Sequence, residues 1–357
     1  MAKVSFNNKQ STFFAVLKEK VNHYFSKNNI HTSGNKELYL KSLIQLSSAI
    51  CLYFTLVFFT PGAFVSIILC CILGVNMGVI GFNIMHEGGH MSYSKHKWVN
   101  EISGHFLNIL GGSIHFWKIK HNVNHHTYTN IAGMDSDIDI EPFMRLHKQQ
   151  ERHWYHRFQH IYWVILYGMS YVTWIFYDDF VKYFAANSSK AVASQKLVFK
   201  EHIIFWLTKI FYIGMYIVVP IIFAGLVNTI IGFWIVVFIC GLSISIVFQL
   251  AHVVEGTQFP LPDADSNTME QEWAIHQIIT TANFSTKSKI VSWLVGGLNF
   301  QVEHHLFPKI SHVHYPKINQ LVKETCEEFN IKYIEYSSFF KAFRSHMTHI
   351  RRLGSTL

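Results

Sequence analysis

The chain has 357 residues, of which half are hydrophobic and only 15% charged, whereas a soluble domain carries about 25% charged residues. That deficit argues against an ordinary soluble domain and points to a membrane. The net charge of +8 comes from Lys and Arg scattered between long apolar runs, which suits anionic headgroups or phosphate-bearing substrates and excludes a nucleic-acid partner. The five cysteines form no CxxC pair, so neither a zinc ribbon nor a redox motif is indicated.

Residues 1–35 are polar and basic, with Lys3, Lys9, Lys18, Lys20 and Lys27. Among them Phe13, Phe14, Val16, Leu17, Val21, Tyr24 and Phe25 recur near helical spacing. This predicts an amphipathic helix that lies on the membrane interface or packs on the protein itself. No uninterrupted apolar core precedes Tyr39, so no signal peptide is expected. From Ser42 to Met85 there is no charged residue, and the 44 residues suffice for two spans divided at Pro61-Gly62. A second run, Ile203 to Ala251, carries one charge, Lys209, and divides near Gly225. Lys209 is expected to sit near one end of its span and to snorkel to the headgroups.

The expected fold is therefore an all-α membrane protein. Its four transmembrane helices form two hairpins, with a cytoplasmic helical cap that carries the histidines. A single domain is expected over 1–357, with spans 1–2 at 42–85, a cytoplasmic segment at 86–202, spans 3–4 at 203–252 and a cytoplasmic region at 253–357. In the central segment, Glu101–Leu110 and His160–Tyr177 look like interfacial or re-entrant helices. Both turns between spans are uncharged, so the positive-inside rule places both termini and every histidine cluster on the cytoplasmic side.

Those clusters carry the chemistry. Eight histidines fall between His86 and His126, opening with HEGGH (His86, His90) and closing with HNVNHH (His121, His125, His126). Far downstream, QVEHH supplies Gln301, His304 and His305, and His252 ends the fourth span. Residues four apart share a helix face, so each pair offers two imidazoles in one direction. Eight imidazoles exceed the four ligands of one tetrahedral zinc and suit two metal ions, and imidazole alone does not choose among iron, zinc and copper. Glu87, Glu303, Asp135, Asp137 and Asp139 are candidates to accept the second ring N–H of a bound histidine, with Glu141, Asn83, Asn124 and Asn299 as further candidates. His96, His115, His147, His153, His156 and His160 are expected on a solvated or headgroup-facing surface, while His105, His312 and His314 could support the site. HEGGH also fits the HExxH of zinc proteases, but that reading leaves HNVNHH and QVEHH unexplained.

HEGGH, HNVNHHTYTN followed by GMDSDID, and NFQVEHHLFP resemble the three histidine boxes of membrane fatty acid desaturases, over about residues 40–320. Gln301, opening the third box, is similar to the front-end or acyl-lipid branch. The resemblance implies a di-iron centre held by His86, His90, His121, His125, His126, His304 and His305, with His252 resembling an extra ligand after the fourth span. It implies O2 as co-substrate, an acyl-CoA or acyl-lipid substrate, and a double bond as product. Glu87 departs from the family, which more often has Asp there. Many front-end members also carry a fused b-type cytochrome with an HPGG loop, which this chain lacks. A separate donor, ferredoxin or a b-type cytochrome with its reductase, is therefore expected, and a bacterial inner membrane fits. The alternatives are a hydroxylase on the same scaffold and, in another class, a membrane metal store or transporter. A transporter places ligands within its spans, and both apolar runs lack histidine.

Overall fold

The computed structural model describes residues 4–8, 12–184 and 197–355; Lys3 and Lys9 of the basic N-terminal segment lie outside the described residues. Four helices are long and apolar enough to cross a membrane: α2 (Lys36–Phe59), α3 (Ala63–Gly89), α6 (Phe199–Ala224) and α7 (Leu226–His252). Preceding them is α1 (Phe13–Asn28), and the segment between the two pairs contains α4 (Lys97–Gly104) and α5 (Gln159–Thr173). Beyond α7 come α8 (Trp273–Thr280), α9 (Lys289–Leu294), α10 (Gln301–Leu306), α11 (Tyr315–Glu328) and α12 (Phe339–Ser355). Strand is confined to two parallel bridges, Ser5–Phe6 with Thr268–Met269 and Asn283–Phe284 with Glu335–Tyr336. The chain is thus an all-α membrane protein.

The turns fall where the sequence places them. α2 and α3 form a hairpin across Pro61-Gly62, and Gly225, at φ +84°, turns α6 into α7. The long helices touch through small residues. A Cβ on Gly74 would lie 2.7 Å from the Val236 carbonyl oxygen, and one on Gly241 would lie 2.5 Å from the Gly168 carbonyl oxygen. Close backbone approach of this kind is how helices pack where lipid removes the hydrophobic drive between them.

One expectation left open is decided and one is revised. The apolar face of α1 packs on the protein: Phe13, Leu17, Val21 and Phe25 are buried against α8, α10 and α11. Lys209 does not snorkel. It is buried, and its Nζ donates to the carbonyls of Gly111 and Ile175, both at 2.7 Å, and to Asp179 Oδ2 at 2.9 Å. A buried cation needs such a partner, because desolvation costs several kcal/mol. Residues 159–173 form a helix that packs along α7, with Tyr167 and Tyr171 buried.

Candidate metal centre

The first two histidine clusters sit where regular α-helix gives way. A π-helical turn, Gly81–Met85, runs into His86 at the end of α3, and a longer one, Ile119–His125, carries the second cluster. Such wide turns concentrate at functional sites. The second has a direct consequence. On an α-helix His121 and His125 would share a face; here His121 pairs with His126, five residues on, their Nε2 atoms 3.3 Å apart. His125 is thereby turned towards other partners. α10 supplies His304 and His305 on adjacent positions, and α7 ends on His252.

The ring nitrogens gather in two main groups, each with its atoms within 4.8 Å of one another: His86, His90, His121 and His304; and His125, His252 and His305. His126 stands between them, its ring centroid 4.6 Å from that of His304 and 4.5 Å from that of His305. His86 and His121 bring their Nε2 atoms to 3.1 Å. Two nitrogens bound to one metal at about 2.1 Å, at a right angle, lie about 3 Å apart, so this spacing fits adjacent ligands of one ion. Nε2 of His90, His125 and His304, and Nδ1 of His126 and His252, are buried without a hydrogen-bond partner. Leaving such groups unsatisfied costs about 1–3 kcal/mol apiece, and a shared cation would remove the cost at the Nε2 atoms of His90, His125 and His304. Gln301 joins the second group, its carboxamide nitrogen 3.0 Å from His252 Nε2 and 3.3 Å from His305 Nε2.

Electrostatics agree with a ligand role. Burial, reinforced by the neighbouring imidazoles, holds His90, His121, His126, His304 and His305 well below the ordinary histidine pKa, so their lone pairs stay free at neutral pH. His125 differs: burial works to lower it, but the Asp135 carboxylate outweighs that and raises it. His125 Nδ1 donates to Asp135 Oδ2 at 2.9 Å, which leaves Nε2 aimed into the group. Asp137 lies 3.8 Å from the same ring and is held by Lys120 at 2.5 Å; burial works to raise Asp137, but the Lys120 charge lowers it.

The other candidates fall elsewhere. Glu87 turns away from His86 and His90 and accepts from the backbone N–H and Nδ1 of His312, at 2.9 and 2.8 Å. Glu303 accepts from Asn283, Asn319 and Tyr333, fastening α10 to the scaffold behind it rather than to an imidazole. Asp139 is exposed and accepts only the Glu141 N–H among the bonds of the described residues. Asn83 and Asn299 bond to carbonyls and a serine. His147 and His156 are buried, not surface groups; His156 Nε2 donates to the Pro142 carbonyl at 2.8 Å. His314 Nε2 donates to the Ser33 carbonyl.

Sequence reasoning missed the groups that orient the third box. His305 Nδ1 donates to Gln277 Oε1 at 2.8 Å, which Thr129 also reaches, and Tyr315 Oη lies 3.2 Å from His304 Nδ1. Gln277 and Tyr315 lie 28 and 11 residues from their histidines and Thr129 lies 176 from His305, and no local pattern marks them. Trp117 stacks on His121 with centroids 4.6 Å apart and closes over His86 and His90.

Comparison with known proteins agrees with the geometry. The family model described as Fatty acid desaturase matches residues 62–337. The chain is 36% identical to the sn-1 linoleoyl-lipid 6-desaturase of Arthrospira platensis, over 99% of this chain and 95% of that one. It is 33% identical to the protein of the same name from Synechocystis sp., over 99% and 98%. It is also 35% identical to the Acyl-lipid (8-3)-desaturase of Physcomitrium patens, over 96% of this chain and 72% of that one. The match, on a chain whose histidines gather in two buried groups at the ends of its spans, establishes that the protein belongs to the fatty acid desaturase family and is a desaturase enzyme of lipid metabolism.

Proposed function

We propose that the enzyme desaturates an acyl chain carried on a membrane lipid, towards the carboxyl end of that chain, using two iron ions and O2. The convergence of two histidine groups carries this reading. His86, His90, His121 and His304 would hold one ion, and His125, His252 and His305, with Gln301 alongside, the other; His126 is placed to serve either. Side chains lack the oxidising power to take hydrogen from an unactivated methylene, and iron with O2 supplies it. The relatives named above act on linoleoyl-lipid or acyl-lipid, which favours a lipid carrier over coenzyme A.

The chain's own residues do the rest. Asp135, Gln277 and Tyr315 fix ring orientation, and Trp117 helps exclude water from the first group. Between the spans lies a cavity of about 360 Å³, lined by Leu73, Met77, Tyr212 and Val237. Met77 precedes His86 by nine residues, about 14 Å along a helix, so the cavity suits the methyl end of a chain whose reacting carbons lie by the histidines. The reading also places the histidines and both termini on the cytoplasmic side of a bacterial inner membrane, with electrons from ferredoxin or a b-type cytochrome and its reductase.

The test is the lipid profile of cells that express the protein with such a donor, beside His304→Ala. New double bonds near the carboxyl end, lost in the variant, are expected, with about two irons per purified chain. Hydroxy acids instead would assign the hydroxylase reaction, and an unchanged profile from iron-loaded protein with an active donor would sink the proposal.

A further inference from the structure

The short helix α9 and the start of α12 form a surface that the desaturase reading does not use. Ile290 is 75% exposed and Phe340 80% exposed, and Trp293 and Leu294 stand beside them at 40% and 39%. Large apolar side chains grouped in this way mark an interaction site.

What lies beneath the surface fixes its level. Val291 and Val295 of the α9 region, and Phe339 of α12, pack in one cluster with Phe82 of α3 and Val247 of α7. Phe82 precedes His86 by four residues and Val247 precedes His252 by five, so both belong to the last turns of their spans. On the other side, Lys41, in the second turn of α2, places its Nζ 5.8 Å from the centroid of the Trp293 ring. α9 thus lies against the histidine-side ends of three spans. Its outer face continues their lipid-facing surface into the headgroup zone.

The exposed charge of the rim is basic, and Glu335, which bonds to Thr286 beside it, is paired with Lys323. Lys287, Lys289 and Lys341 are exposed around the apolar group. No Asp or Glu occurs between Glu272 and Glu303, or anywhere after Glu335. An apolar face with tryptophan at its edge and lysines around it is the composition that seats at a bilayer interface and attracts anionic lipid.

We infer that Ile290, Trp293, Leu294 and Phe340 insert into the histidine-side leaflet, while Lys287, Lys289 and Lys341 hold the headgroups of anionic phospholipids there. The platform is independent of the reaction and of any bound metal. It would order a ring of anionic lipid beside the ends of α2, α3 and α7.

The test uses the full chain reconstituted in vesicles of phosphatidylcholine with phosphatidylglycerol. Emission that belongs to Trp293 is obtained by difference between the unaltered protein and Trp293→Phe, in lipids with and without bromine near the carbonyl end of the chains. Strong quenching by the brominated lipid is expected, and difference emission untouched by bromine would overturn the insertion. The second arm compares phosphatidylglycerol retained per chain in the unaltered protein and in Lys287→Gln/Lys289→Gln/Lys341→Gln. A lysine near an anionic surface contributes roughly fivefold in lipid occupancy, so retention should drop several-fold. Equal retention by a triple variant that elutes as the folded protein would overturn the headgroup assignment.

Discussion

At the scale of single residues, the site is built on ring orientation. Asp135 accepts the Nδ1–H hydrogen bond of His125 and is itself held by the backbone N–H groups of Asn130 and Asp137, both at 3.0 Å. Replacing such a partner typically costs 10–100-fold in metal affinity. Asp135→Ala should therefore weaken metal binding by about that factor in a competitive chelator titration, and an unchanged affinity would remove Asp135 from the supporting set. The Lys209–Asp179 pair calls for a different experiment. Removing one partner of a buried pair strands a charge, at a cost of about 3–5 kcal/mol. Asp179→Asn should then lower the thermal midpoint in detergent markedly, and Asp179→Leu with Lys209→Met should recover much of it. The sequence announced Lys209 as a lone charge in an apolar run, but its partner Asp179 lies 30 residues upstream, beyond the end of α5, and only the tertiary fold brings the two together.

Among elements, glycines decide which helices can meet. The two glycines of HEGGH are packing positions: a Cβ on Gly88 would come within 2.3 Å of the Gly104 nitrogen, and one on Gly89 would strike the Trp117 ring. A Cβ on Gly241 would meet the Gly168 and Tyr167 carbonyl oxygens at 2.5 and 2.8 Å, and backbone cannot step aside as a flexible side chain does. Gly241→Val should push α5 off α7 and destabilise the protein by roughly 1–3 kcal/mol, read as a lower thermal midpoint and faster amide exchange in α5. A variant as stable as the parent would show that this crossing is not tight. The four apolar helices were legible because lipid demands long uncharged runs, and Pro61-Gly62 and Gly225 punctuate them. The histidine spacing was legible too, but not its outcome. A π-helical turn is not written in HNVNHH, and that turn lets His121 join the first group and His125 the second while both still approach Asp137.

For the whole molecule, buried neutral histidines set the response to acid. Burial pushes His276, His346 and His349 down to about 4; His276 Nε2 donates to the Thr129 carbonyl and His346 Nδ1 to that of Val253. The unfolded chain takes up these protons near pH 6.5 and the folded one refuses them until about pH 4. Stability should therefore be present above pH 6.5 and be lost as pH falls through that window, by up to about 1.4 kcal/mol per pH unit for each group. Thermal unfolding in detergent at pH 7 and pH 5 checks this, and equal midpoints would refute it. None of the three histidines stood out in the sequence as buried, because burial here is a product of the assembled cap.

The two nitrogen groups draw on the end of α3, the turn at 119–125, the end of α7 and α10, positions that run from His86 to His305. Ions bound there would act as knots tied across most of the chain, closing long loops that covalent chemistry leaves open: no cysteine among the described residues is in a disulfide. Metal binding would then be folding energy for the cap as well as equipment for catalysis. Chelation should leave the spans embedded but open the cap to protease, and the same cuts in metal-loaded protein would mean that the knots bear no strain.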